Sequence, residues 1–184
     1  ALPSLVVRPT LVSRQGLLGN FQRKNEDLWP PRYQQALGRV VYDIQNGDLP
    51  ERMRAARQVG SMLGLAREIE QGKSIPPRQL RGEIRKKPAL RMMVEVLKDP
   101  DPAVRAEMLA SLRTVDLDKA IIPWFADAIE DPSPLVRCRL VSLLGASDAR
   151  GQQPVIDYLA QDGDPRVRRV ARAFQRARQT ERAD

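Results

Sequence analysis

At 184 residues, with 42% apolar but only 4% aromatic side chains, the chain is sized for one core of helices packed on helices and is poorly supplied for a sheet interior. It has no histidine and one cysteine, Cys138, which removes the commonest neutral-pH base and metal ligand and excludes an internal disulfide or a cysteine-based metal cluster. The net charge is +8, and no apolar run approaches the ~20 residues a membrane span needs.

Residues 1–28 have no sustained period and carry Pro3, Pro9, Gly16 and Gly19. Leu5, Val6, Val7, Leu11, Val12, Leu17, Leu18 and Phe21 make this stretch too apolar for a solvated linker. It reads as an extended arm, laid either along the chain's own helices or onto a partner. Trp29, before Pro30 and Pro31, is placed to staple the arm to the first helix. The first residue, Ala1, fits a chain trimmed of its initiator or of a leader, and both a cytoplasmic and an exported location stay open.

Pro31 opens a helix with Tyr33, Leu37, Val40, Val41 and Ile44 on one face. Asn46-Gly47 turns the chain, and Asp48 with Glu51 reads as a capping box. The next helix carries Met53, Ala56, Val59 and Leu63. Gly72, Ser74, Pro76 and Pro77 then break the pattern. From Arg78 to Lys87 a short extra helix is expected, basic through Arg81, Arg85, Lys86 and Lys87.

Three later segments align with one another. They are Leu97–Arg105, Ile129–Arg137 and Gln161–Arg168, each an acidic turn followed by a valine-arginine pair. Val104 to Val136 spans 32 residues and Val136 to Val167 spans 31, room for two short helices and two turns. Asp101, Ser133 and Asp164 stand where N-caps belong, and Pro102, Pro134 and Pro165 occupy the first helical position, where a missing N–H costs nothing. Leu90, Met93, Val94 and Leu97 recur at helical spacing, as do Ile122, Phe125, Ala126 and Ile129. The second helices repeat Val104, Met108 and Leu112, then Val136, Leu140 and Leu144, then Val167, Val170, Ala171 and Phe174. No single hairpin can bury such stripes; stacking can.

The acidic turn followed by valine-arginine, three times over in residues 89–178, resembles the HEAT repeat family in its short form. The resemblance implies an all-α, right-handed α-solenoid of short helical hairpins, a binding role, and pairing between the turn aspartate and the arginine of neighbouring repeats. Carried onto this chain, that ladder involves Asp101, Asp164, Arg105, Arg137 and Arg168, with a gap at Ser133. Met53-Arg54 stands as the earlier counterpart of valine-arginine. The resulting organisation is an arm at 1–28 and a repeat domain at 29–178, followed by a tail at 179–184. Within the repeat domain lie a degenerate first repeat at 31–64, a basic insertion at 65–88 and regular repeats at 89–178.

No catalytic constellation, phosphate loop or ligand-spaced cluster is visible, so no cofactor, metal or enzymatic activity is expected. The paired aspartates of the turns are explained by capping. Trp124 reads as a stacking contact between repeats and Cys138 as a small half-buried residue.

Charge is unevenly spread. Residues 99–165 hold six cations against twelve anions, whereas 166–184 hold seven cations against two anions. Arg169, Arg172 and Arg176 give the last helix a cationic side that suits either a solvated cap or a binding face. The leading expectation is a protein-interaction scaffold, a small subunit of a larger assembly. Its partner-facing residues would be Leu5, Val6, Val7, Leu11, Leu17, Leu18, Phe21, Arg81, Arg85, Lys86, Lys87, Arg169, Arg172 and Arg176. The alternatives are a nucleic-acid-binding protein using the basic helices and a non-catalytic accessory subunit of a chromophore or lyase system.

Overall fold

A computed structural model describes residues 31–72, 86–113, 115, 123–146 and 152–181. Leu5, Val6, Val7, Leu11, Leu17, Leu18, Phe21, Trp29, Arg81 and Arg85 lie outside the described residues, as do the side chains of Lys86 and Lys87. The described residues form helices and the turns that join them, with no strand among them. In order they are α1 (Pro31–Asn46), α2 (Leu49–Glu70), α3 (Lys86–Leu97), α4 (Pro102–Ser111), α5 (Ala126–Ile129), α6 (Pro134–Gly145), α7 (Gln153–Leu159) and α8 (Pro165–Glu181).

Local chemistry sets most of these bounds. Asp48 and Glu51 close a reciprocal capping box at the start of α2. That helix continues to Glu70, six positions beyond the expected end of the first repeat. It stops at Gly72, whose φ of +69° is the left-handed conformation that a residue without Cβ adopts freely. Lys86 and Lys87 lie in α3, and residues 78–85 of the expected basic helix lie outside the described residues. Helix α5 is a single turn entered through a tight turn at residues 123–125, shorter than the periodicity from Ile122 suggests. Helix α8 extends through Glu181, beyond the expected boundary at 178.

The even-numbered helices form the spine. Helix α2 packs on α4, α4 on α6 and α6 on α8; α1, α5 and α7 pack on them from the side, and α3 packs on both α2 and α4. The expected stripes are the core. Val104, Met108 and Leu112 are buried, as are Val136, Leu140 and Leu144, with Val167 and Ala171 closing the far end. Close approach along the spine needs glycine. A Cβ on Gly60 would lie 2.6 Å from the Ser111 Cβ, and one on Gly145 would lie 2.3 Å from the Phe174 ring. Counted from the helix cap, both glycines hold the twelfth position, and both face the tenth position of the next spine helix.

Candidate functional site

The turns within the three regular hairpins share one construction. The first aspartate of each turn folds back on it: the amide of Asp101 donates to Asp99 Oδ1 at 2.9 Å, that of Ser133 to Asp131 Oδ1 at 2.8 Å, and that of Asp164 to Asp162 Oδ1 at 2.7 Å. Two residues later the cap takes over. Ala103 N–H donates to Asp101 Oδ1 and Arg166 N–H to Asp164 Oδ1, each at 2.8 Å. Ser133 holds the cap position of α6 but its hydroxyl makes no capping bond. The expectation of three working side-chain caps is corrected to two, those of Asp101 and Asp164.

Four positions after each cap stands an arginine. Arg105 lays its fork on Asp131 of the next turn, Nε to Oδ2 at 2.7 Å and Nη2 to Oδ1 at 2.8 Å. Its remaining Nη1 donates to the carbonyls of Asp99 and Pro100 in its own turn. Arg137 repeats this, with Nε 2.7 Å and Nη2 2.9 Å from the carboxylate of Asp162 and Nη1 on the Asp131 carbonyl. The resemblance assigns these pairings to Asp101 and Asp164; the structure places them on Asp131 and Asp162. Asp101 and Asp164 instead cap their own helices. Ser133 therefore leaves no gap, because the rung at that turn belongs to Asp131.

The first repeat joins the same ladder two residues earlier than the sequence pattern suggests. Arg52, not Arg54, is the fourth residue after its cap. Its Nε lies 3.0 Å from Asp99 Oδ2 and its Nη1 donates to the Gly47 carbonyl. Arg54 turns inward to Asp43, a fully buried carboxylate that Arg39 also meets at 2.8 Å.

These contacts bias the ionised forms. The hydrogen bonds from Arg137 hold the Asp162 carboxyl below the usual range, and those from Arg166 push Asp164 down to about 2. Arg105 and Arg137 are raised by Asp131 and Asp162 respectively. Burial raises the half-buried Cys138 thiol, so little reactive thiolate forms near neutral pH.

At the far end, Arg168 keeps the ladder position and its Nη1 donates to the Asp162 and Gly163 carbonyls at 2.6 and 2.8 Å. It shares an open groove of about 350 Å³ with Pro165, Arg169, Arg172 and Arg176. Arg169, Arg172 and Arg176 are exposed. Elsewhere the described surface shows three exposed aromatics, Tyr42, Trp124 and Tyr158, all contributed by the odd-numbered helices and their lead-in turns. Trp124 is not buried between repeats; its neighbour Phe125 is.

Residues 90–175 match the family model for HEAT repeats. This stretch belongs to the HEAT-repeat family. HEAT repeats are commonly protein-interaction scaffolds and their proteins are generally non-catalytic. Neither the curated proteins nor the solved structures contain a match to the chain. Within these HEAT repeats, Asp99, Asp131 and Asp162 are the arginine-paired carboxylates of the ladder that the resemblance did not single out. Their common signal is the position two residues before each cap. Among the described residues no group of three His, Cys, Asp or Glu side chains is arranged to hold a metal ion, and no helix is long and apolar enough to cross a membrane.

Proposed function

We propose that the chain is a protein–protein interaction scaffold, a small structural subunit of a larger assembly. In this reading residues 29–178 form a right-handed α-solenoid. The arm at 1–28 and the basic surfaces, including Arg81, Arg85, Lys86, Lys87, Arg169, Arg172 and Arg176, engage partner subunits. The observation that carries it is the exposure of Tyr42, Trp124 and Tyr158, in a chain with only eight aromatic residues. Tyrosine and tryptophan are enriched at interface hot spots, where one large ring covers apolar area and still offers a polar edge. Purification of the full chain from its native cells, with mass spectrometry of co-eluting proteins, tests the reading. A stoichiometric partner whose recovery falls with Trp124→Ala or Tyr158→Ala supports it. A stable monomer without partners, indifferent to both substitutions, overturns it.

A nucleic-acid reading draws on the exposed arginines of α8. The acidic turns that precede that helix interrupt any continuous basic track. Salt-sensitive binding to a generic duplex at low ionic strength would favour it.

A further inference from the structure

We infer that the exposed face of α8 is a docking site for an acidic turn of a partner protein, with Arg168 receiving its carboxylate as one further rung of the ladder. The inference rests on the scaffold reading and gives its partner a chemistry.

Register carries the case. Residues four, eight and twelve positions after a cap share one helical stripe. In the earlier spine helices that stripe faces forward: Arg105 and Arg137 reach the next turn, and Gly60 and Gly145 touch the next spine helix. The eighth position is Ala56, Leu109 and Val141 in α2, α4 and α6, each fully buried. In α8 the eighth and twelfth positions are Arg172 and Arg176, and the fifth, Ala106 in α4, is Arg169. Thus at the eighth position α8 puts an exposed arginine where all three earlier spine helices put a fully buried small or apolar residue that receives a following helix. An uncharged repeat cannot cover that surface without desolvating three cations.

Arg168 adds geometry to charge. Its Nη1 is held by two carbonyls of its own turn, as that of Arg105 is and as that of Arg137 is by one, which leaves Nε and Nη2 as the donors that those residues use on a carboxylate. Among the described residues no carboxylate meets these two donors. A planar two-oxygen group is what the fork fits. A second copy of this chain does not supply it. The position two before the cap of α2 is Asn46, which carries no charge and donates to the Tyr42 carbonyl.

The test uses the full chain and a fluorescein-labelled Asp-Pro-Asp-Pro peptide, with its Asn-Pro-Asn-Pro counterpart and a generic DNA duplex as controls. The expected result is salt-sensitive binding of the acidic peptide alone, weakened about tenfold by Arg168→Lys, which keeps charge but loses the fork, and hardly changed by Arg139→Lys, at an exposed position of α6 outside the groove. Equal binding of the two peptides, no binding at low salt, or indifference to Arg168→Lys overturns the inference, as does preference for the duplex. Should Arg168→Lys fail to fold by circular dichroism, the pair Arg172→Gln and Arg176→Gln decides, because undiminished peptide binding there also overturns it. Undiminished recovery of native partners by these variants refutes the end-face site while leaving the scaffold reading standing.

Discussion

Arg105 and Asp131 meet through two parallel N–H···O bonds of 2.7 and 2.8 Å across the boundary between adjacent repeats, and both side chains are buried. The third arm of the guanidinium closes the turn that Arg105 itself follows. One side chain therefore ties the turn of its own hairpin to the turn of the next. Asp131→Ala would leave that cation buried and unpaired, at a cost of about 3 kcal/mol. Glu130→Ala, one residue away on the surface, should change stability by no more than about 0.5 kcal/mol. Urea denaturation of the two variants checks the contrast.

The caps predict unequal responses from positions that look alike. Asp101→Ala removes a bond to an orphan N–H of α4 and should cost about 1 kcal/mol. Ser133→Ala should be nearly neutral, since that hydroxyl caps nothing. Ser133→Asp should stabilise by about 0.5–1 kcal/mol. Thermal unfolding of the three variants measures the series.

Gly60 sits in the interior of α2, where alanine is worth about 1 kcal/mol more than glycine by propensity. The added Cβ would lie 2.6 Å from the Ser111 Cβ and 2.9 Å from its carbonyl oxygen, so backbone must move and the clash outweighs the propensity. A net loss of about 1–2 kcal/mol is expected for Gly60→Ala. For Gly145→Ala the three atoms nearest the added Cβ all belong to the ring of Phe174, so Phe174→Ala in the same chain should recover part of its loss. A double-mutant cycle by denaturant unfolding separates the two cases.

Acid should act on the ladder and neutral pH should not. Asp162 and Asp164 have carboxyls lower in the folded chain than the ordinary value of about 4. The unfolded state therefore binds more protons as pH falls, and the stability these groups lend is complete above that range and lost on the way down towards 2. With no histidine, no side chain has an ordinary pKa between about 5 and 8. Melting temperature should be level across that window and fall below about pH 4. Arg137→Gln, which releases Asp162, should flatten the acid limb.

Much of this fold is legible in the sequence because its signals are local. Proline after a cap and apolar residues at helical spacing mark α4, α6 and α8 without reference to anything distant. The rungs are less legible, because Arg105 meets a carboxylate 26 residues away and each turn offers two acidic or polar positions. Choosing between Asp131 and Ser133 requires knowing which faces backwards. At the first repeat, Met53-Arg54 imitates valine-arginine, while the capping box puts Arg52 on the shared face. The arginines of α8 are visible as charge, but their equivalence to Leu109 and Val141 appears only when the helices are counted from their caps.

Rung arginines 105, 137 and 168 are separated by 32 and 31 residues; Arg105 and Arg137 each address their own turn and the one after it, and Arg168 its own. The spacing is thus a unit of insertion and deletion. Removing one such length between Arg105 and Arg137 would bring Arg105 against Asp162 with the same donors and acceptor already in place. Lineages of this chain could then change length by whole hairpins while both ends, including the arginine face of α8, stayed as they are.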